Sequence, residues 1–307
     1  MNKPNLTIMV GIPASGKSYA AEKLSDMYGS KIYSSDAYRK MLLGDESDQS
    51  NNTLVFNTIF SDMKKDIENG CDCIFDATNT TIKSRKRVLD IFSGIATVDA
   101  FVMTTDVKEC ITRDILRERY VGKDVIYKFL NSYQFPQMFE GFNNIIIWDE
   151  KRNNYSETLE KKYMREMDRF DQKNPHHKYN LGTHCRKLAE HFDEVDIRYL
   201  AGLWHDVGKL FTQKIDDAGV AHYYSHDSVS TYFILSHLDI LPFSSMYLIG
   251  ELLFYVNYHM KIRDLERDAK GSTKQKYRKL FGTDYSMTSR YDKLVEFMQA
   301  DNEAGHK

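Results

Sequence analysis

An apolar run, Leu6-Thr-Ile-Met-Val10, breaks into Gly11-Ile-Pro-Ala-Ser15-Gly16-Lys17-Ser18, and helix-forming sequence begins at once behind it. Few folds accept a strand that stops at a glycine-rich turn and re-emerges as a helix. In this setting the pattern G-x-x-x-x-G-K-[ST] predicts a phosphate-binding turn between the first strand and the first helix of a parallel sheet. Without side chains in the way, backbone N–H groups turn inward on phosphate oxygens, and the helix N-terminus adds its positive end. On this reading Gly11, Ser15, Gly16, Lys17 and Ser18 bind ATP. Lys17 reaches the β- and γ-phosphates and Ser18 holds Mg²⁺.

The surrounding sequence extends the same architecture. Strand signals at Leu6–Val10, Lys31–Ser34, Cys71–Phe75, Ala96–Met103 and Ile145–Trp148 alternate with helical stretches such as Ser18–Met27, Thr53–Glu68 and Ser84–Phe92. Alternation of this kind predicts a parallel sheet covered by helices on both faces. Beyond Trp148 strand signals fade. Glu157–Asp171 reads as a linking helix, and helical periodicity then dominates in Cys185–His191, Tyr199–Leu210, Ser228–Leu238 and Met246–Tyr258. The expected organisation is an α/β domain over 1–150, a helical linker over 151–172 and an all-α domain over 173–307. At 42% apolar residues the chain can bury two cores, which excludes disorder as its main state. No apolar stretch is long enough for a membrane span, and the start reads as a first strand rather than a leader. Four scattered cysteines fit a reducing cytoplasm. A formal charge of −2 excludes a global basic field, so a nucleic-acid partner must be met by local patches.

The phosphate acceptor has to come from other strand ends, which face the ligand crevice in an open parallel sheet. Ser34-Ser-Asp36-Ala-Tyr-Arg39 follows the second strand. There Asp36 can take a proton from an attacking hydroxyl, and Arg39, three residues on, can clamp an acceptor phosphate. Asp76, in Phe75-Asp-Ala-Thr-Asn79 at the end of the third strand, is placed to position the metal or a water at the acceptor side; the bland alternative is a helix cap. Arg113 and Arg117 are spaced i, i+4 on a helix expected to continue to Arg119, a row that can swing over the triphosphate or simply pair with Asp114 and Glu118.

Together these pieces resemble the 5′-kinase domain of phage-type polynucleotide kinases, over about residues 5–148. The resemblance implies that Asp36 is the general base, that Arg39 holds the acceptor's 3′-phosphate and that Arg113 and Arg117 form a lid on the donor phosphates. Val121-Gly-Lys departs from the Val-Pro usual after that lid.

All ten histidines lie between His176 and His306, and the first 175 residues hold none. Histidine is the commonest metal ligand, so the second half is the metal candidate. His205-Asp206 sits in the apolar stretch Ala201–Lys209, expected to be one helix, where an adjacent imidazole and carboxylate are costly unless paired or metal-bound. His184, His226, His259 and Asp301 each fall in a separate segment. One ligand per helix, converging across a bundle, is how a helical fold builds a metal centre. His184, His205, Asp206 and Asp301 would suit a hard or borderline divalent ion, and His226 and His259 a second ion or a substrate phosphate.

This pattern resembles the HD phosphohydrolase superfamily, over about residues 175–304, with His226, His259 and Asn174-Pro-His-His177 matching a subset that includes the HD domain of bacterial CCA-adding enzymes. The resemblance implies metal-dependent hydrolysis of a phosphorus ester, supported by Mn²⁺, Ni²⁺ or Co²⁺ as one or two ions. It makes His177 and Lys209 candidates for binding substrate phosphate, although Lys209 can equally extend away from its helix. His191, His222, His237 and His306 match no role in it.

Two basic clusters are candidate nucleic-acid contacts: Lys83, Arg85, Lys86 and Arg87 near the acceptor crevice, and Lys261–Lys279 with Tyr277, Phe281 and Tyr285. Taken whole, the chain resembles bifunctional end-healing enzymes that join a polynucleotide kinase to an HD domain, although bacterial enzymes of that kind place the HD domain first. The resemblance implies ATP- and Mg²⁺-dependent phosphorylation of 5′-hydroxyl RNA or DNA ends and removal of 2′,3′-cyclic, 2′- or 3′-phosphates. A ligase acting downstream and self-association are compatible with it; a membrane partner is not expected. A small-metabolite or nucleoside kinase fused to a nucleotidase, and an ATP-gated regulatory module, are the rival expectations.

Overall fold

The computed structural model describes residues 3–149, 155–175, 177–262, 271, 275 and 285–305. The chain divides into two compact units, Met1–Phe129 with Pro136–Glu150 and Leu130–Phe135 with Lys151–Lys307.

The first unit carries strands β1 (Asn5–Val10), β2 (Lys31–Ser34), β3 (Cys73–Asp76), β4 (Thr97–Met103) and β5 (Asn144–Trp148). All neighbours pair in parallel, in the order β2-β3-β1-β4-β5. Every residue of β3 and all but the first of β4 are buried, as strands covered on both faces require. Helices α1 (Lys17–Tyr28), α2 (Ser35–Leu43), α3 (Asn52–Glu68), α4 (Ile82–Phe92), α5 (Val107–Leu116) and α6 (Lys123–Leu130) connect them. Short polar side chains start several: Ser34 accepts from Ala37 N, Asn51 from Leu54 N and Asp106 from Lys108 N. Thr81 and Ser84 form a capping box on α4, so the cap role considered for Asp76 falls to Thr81.

The reading of Arg85 is corrected. Arg85 is not part of a basic surface. It is fully buried and grips Glu140 with two bonds, Nε–Oε2 and Nη2–Oε1, both 2.8 Å. Beside it, Lys86 pairs with Asp90 at 2.6 Å, and Arg87 bonds Asn57 at 2.6 Å while lying over the Phe60 ring. Arg85 is thereby withdrawn from the cluster, whereas Lys83, Lys86 and Arg87 remain exposed.

The second unit is mainly helical: α7 (Glu157–Arg169), α8 (Leu181–Ala189), α9 (Ile197–Trp204), α10 (Lys209–Thr212), α11 (His226–Ser236), α12 (Met246–Tyr258) and α13 (Tyr285–Gly305). The helix read as a linker, α7, packs on α8 within this unit. Its core lies around α11, buried from His226 to Leu235, and α12, buried from Leu252 to Tyr258. The all-α expectation needs an amendment, because β6 (Lys214–Ile215) and β7 (Ala221–His222) form a small antiparallel hairpin. The expected helix over Tyr199–Leu210 is also interrupted. It stops at Trp204, and His205–Gly208 is a run of turns before α10. The break follows from packing: Gly208 N donates to Ser230 Oγ at 2.8 Å, which draws the chain down onto α11.

Most of Lys261–Lys279, with Tyr277 and Phe281, lies outside the described residues, as do the side chain of Tyr285 and His306. Among the described residues no helix is long and apolar enough to cross a membrane.

Candidate active sites

In the first unit the turn after β1 has the shape its sequence predicts. Ala14 and Gly16 both take left-handed backbone angles, φ 60° and 89°, so successive N–H groups are curled into a cradle that opens α1. Lys17 is buried and its Nζ donates to Ile12 O at 2.8 Å. Burial lowers its pKa against the opposing pull of Asp76. Ser15 Oγ is buried without a hydrogen-bond partner, a polar atom that a ligand in the cradle would satisfy. Ser18 Oγ donates to Asp76 Oδ2 at 2.7 Å, and burial raises the Asp76 pKa. A hydroxyl and a carboxylate at the phosphate turn are oxygen ligands suited to Mg²⁺. Because β3 lies between β1 and β2 in the sheet, Asp76 stands between the phosphate turn and the end of β2, where Asp36 begins α2.

Asp36 and Arg39 are ion-paired, Nη1–Oδ1 2.7 Å, with the Arg39 Nε and Nη2 on Asn52 Oδ1 at 3.3 and 3.2 Å. The Asp36 side chain is 46% exposed and Arg39 only 8%. Asp36 is therefore partly exposed while Arg39 is buried and fixed from behind.

The expected arginine row is corrected. Helix α5 ends at Leu116, and Arg117 is already extended. Asp114 causes the break: its buried carboxylate accepts from Val121 N and Gly122 N at 3.2 and 2.9 Å and pairs with Arg117 at 2.6 Å. Arg113 instead bonds Glu109 at 2.9 Å. Arg119, read only as the end of the helix, is the residue that reaches Asp36 and also lies 3.6 Å from Glu46.

In the second unit the separate segments converge. His184 comes from α8, His205 and Asp206 from the turns after α9, His226 from the start of α11, His259 from the end of α12 and Asp301 from α13. All are buried. His184 Nε2 lies 3.1 Å from Asp301 Oδ1 and 3.5 Å from Asp206 Oδ2, and His205 Nε2 lies 3.5 and 3.1 Å from the same two oxygens. The other oxygen of Asp206 faces His226 Nε2 at 3.0 Å and His259 Nε2 at 3.5 Å. One carboxylate is thus shared between two histidine pairs.

The donor set fits divalent metal. The Nδ1 atoms of His205, His226 and His259 lie 2.9, 2.7 and 2.7 Å from the carbonyls of Gly202, Tyr223 and Val256. A carbonyl only accepts, so each Nδ1 carries a proton and Nε2 is the ring nitrogen that faces inward. His226 and His259 bring their Nε2 atoms within 3.3 Å of each other, a spacing that either a shared proton or a bound cation satisfies. His184 and His205 Nε2 are buried without hydrogen-bond partners. Burial pulls the His184 pKa down, but the Asp206 and Asp301 carboxylates outweigh it and raise it to about 9. Asp206 is likewise held well below the carboxylate range, because His205, Lys209 and His226 overcome the effect of burial.

Lys209 does not extend to solvent. It is buried, with Nζ 2.7 Å from Asp206 Oδ2 and donating to Gln172 Oε1 at 3.0 Å. The His177 ring lies 6.0 Å from that of His184. These residues border a pocket of about 230 Å³ whose mouth also includes His222, Tyr223 and Tyr224.

An AAA-domain family model matches residues 6–136, the span that holds the phosphate turn and four of the five strands. The first unit, with its phosphate turn and parallel sheet, is similar to that family over less than half of the chain. A probable 6-phosphofructo-2-kinase of Schizosaccharomyces pombe is 29% identical over 43% of this chain, and the match spans only 23% of that protein's length. Among solved structures, a chain of the Pnkp1/Rnl/Hen1 RNA repair complex aligns with 42% of this chain and 43% of its own length, at 23% identity and a TM-score of 0.40. A putative kinase of Chloroflexus aurantiacus aligns over 50% of this chain and 88% of its own, at 15% identity and a TM-score of 0.41.

Beside the phosphate turn, sequence reasoning missed the Arg119 contact; the third arginine of Arg113-x-x-x-Arg117-x-Arg119 was its only signal. In the second unit it missed Gln172, a polar residue in a polar stretch that gives no sign of holding Lys209.

Proposed function

We propose that this chain heals nucleic-acid ends: the P-loop unit phosphorylates 5′-hydroxyl ends with ATP, and residues 173–307, read as an HD-type domain, remove 2′,3′-cyclic, 2′- or 3′-phosphates. The observation that carries the reading is the shared Asp206 carboxylate, one oxygen toward His184 and His205 with Asp301, the other toward His226 and His259. Two adjacent cation positions bridged by a carboxylate suit phosphoester hydrolysis.

In the first unit Ser18 and Asp76 would hold Mg²⁺ and Lys17 the donor phosphates. Asp36 accepts the proton of the attacking hydroxyl as its oxygen bonds to the γ-phosphorus and ADP leaves. Arg39 orients the acceptor through its phosphate. In the second unit His184, His205, Asp206 and Asp301 would hold one divalent ion, and His226 and His259 with Asp206 a second. Bound there, the ions supply charge neutralisation on the phosphoryl group and a water more acidic than bulk. Lys209, fixed by Gln172, keeps Asp206 ionised and offers a cation to the phosphate, and His177 borders the same pocket.

The test is an RNA with 5′-hydroxyl and 2′,3′-cyclic phosphate ends, incubated with ATP and Mg²⁺, Mn²⁺, Ni²⁺ or Co²⁺. The expected products are a 5′-labelled end that Lys17→Ala abolishes and a 3′-end lacking phosphate that Asp206→Asn abolishes. No 5′-label from the wild type would overturn the kinase half, and end hydrolysis surviving Asp206→Asn would overturn the second site. Labelling of free nucleosides or small hydroxyl metabolites in preference to the RNA would favour a small-molecule kinase instead.

A further inference from the structure

We infer that His222 and Tyr224 form a stacking platform for the base of the nucleotide whose phosphate enters the histidine–aspartate pocket, an inference that rests on the nucleic-acid reading of the second unit. The Tyr224 side chain is 68% exposed, an unusual place for a large ring beside a polar pocket. It is packed against a second ring. The His222 ring is nearly parallel to it, at 8° and 5.8 Å between centroids. His222 belongs to β7, and its Nε2 lies 2.9 Å from Asp216 Oδ2. Asp216 is fastened in turn by Ala218 N and Val220 N at 3.0 and 2.9 Å. The segment thus presents two near-parallel, offset rings, the Tyr224 ring open to solvent.

The shelf is joined to the pocket by the backbone. Ser225, between Tyr224 and His226, takes a left-handed φ of 60°, a conformation uncommon for a residue with a Cβ. The bend sends Tyr224 outward while His226 turns in, so a π face and the phosphate-directed cluster stand two residues apart. Tyr223 is turned inward, with Lys209 over its ring at 5.3 Å, and is not available as a shelf. A ligand that meets both features carries a phosphate and, a few bonds away, a flat π system, which is the chemistry of a nucleotide. A sugar phosphate alone leaves the shelf uncovered. Stacking on an aromatic side chain tolerates any base, so the platform would favour nucleotidic ends without choosing their sequence.

The experiment uses the full chain with Mn²⁺ and a short RNA bearing a 5′-phosphate, a 3′-terminal 2-aminopurine and a slowly hydrolysed 3′-phosphorothioate. Stacking quenches 2-aminopurine fluorescence. The wild type is expected to quench it; Tyr224→Ala should lose the quenching and bind about tenfold more weakly, and Tyr224→Phe should retain both. The same RNA with an abasic 3′-terminus and an internal reporter should bind the wild type and Tyr224→Ala equally. Absence of quenching by the wild type, quenching undiminished in Tyr224→Ala, or an equal loss on the abasic end would each overturn the platform. The hydrolytic reading fails separately: a wild type that quenches through Tyr224 yet hydrolyses no 2′,3′-cyclic or 3′-phosphate end keeps the platform and loses the phosphoesterase.

Discussion

The guanidinium of Arg119 lies on Oδ2 of Asp36, and Arg39 holds Oδ1 of the same carboxylate at 2.7 Å. Both oxygens of the candidate base are therefore occupied by cations drawn from opposite directions, one from α2 itself and one from the segment after α5. A base so held is oriented. Asp36→Asn keeps the shape but cannot take the acceptor's proton, so 5′-phosphorylation is expected to fall by about 10²–10⁴ with ATP affinity unchanged. Arg119→Ala leaves the Arg39 contact in place and is expected to cost only about tenfold. Labelled-phosphate transfer and nucleotide binding, measured side by side, check both; transfer by Asp36→Asn at the wild-type rate would remove Asp36 from the mechanism.

The second site predicts opposite pH behaviour with and without metal. The folded-state pKa of His184 is raised to about 9, above its ordinary 6.5, by Asp206 and Asp301 acting against burial. In metal-free protein this contribution to stability is complete below pH 6.5 and is lost as pH rises to about 9. Metal demands the deprotonated ring, so its stabilising effect grows over the same interval. Thermal unfolding after chelation should show Tm of the second unit falling from pH 6.5 to 9, and added Mn²⁺ should raise Tm most at the upper end. In Asp206→Asn the metal-induced rise should vanish. A Mn²⁺ effect of the same size in that variant would exclude the shared carboxylate as a ligand.

The Arg85–Glu140 pair makes a purely structural prediction in the first unit. Both side chains are sealed, 0% and 2% exposed. Glu140→Ala strands a guanidinium in the core and is expected to cost about 3–5 kcal/mol, whereas the double change Arg85→Met with Glu140→Leu should recover much of that loss. Urea unfolding of the three proteins decides it. Equal destabilisation by the single and double changes would mean that the pair acts through shape and not through charge.

The parts that were legible before the structure are those encoded locally. The inner strands β1, β3 and β4 and the glycine-rich turn announced themselves because a strand buried on both faces is a continuous apolar run. The metal-type cluster was legible because a helical unit distributes one ligand to each segment, and His184, His205, His226, His259 and Asp301 are spaced accordingly. What stayed hidden depends on distant partners. Arg85 reads as one of four surface cations until Glu140, far along the chain, is found beside it. The lid helix seems to run to Arg119 until Asp114 is seen bonding the backbone of Val121 and Gly122. His222 matched no family role, and only the ring beneath Tyr224 shows a use for it.

The break after Trp204 was hidden in the same way, and it yields the sharpest steric prediction. Gly208 has ordinary helical angles, φ −60° and ψ −21°, so its backbone would accept alanine and even gain from the smaller unfolded-state entropy. Its surroundings forbid it. A Cβ there would stand 2.4 Å from His226 O and 2.7 Å from Ser230 N, both backbone atoms of α11 that cannot step aside. Gly208→Ala is expected to destabilise the second unit by about 1–3 kcal/mol and, by pushing on His226 with Asp206 two residues away, to weaken Mn²⁺ binding. Gly250, within α12, is the control, because a Cβ there meets only a Phe135 ring carbon at 4.0 Å. Gly250→Ala should be neutral or stabilising by up to about 1 kcal/mol. Unfolding curves and Mn²⁺ titrations on both variants separate the effects. If Gly208→Ala proves as stable as Gly250→Ala, the contact with α11 does not hold the His205–Gly208 turns in place.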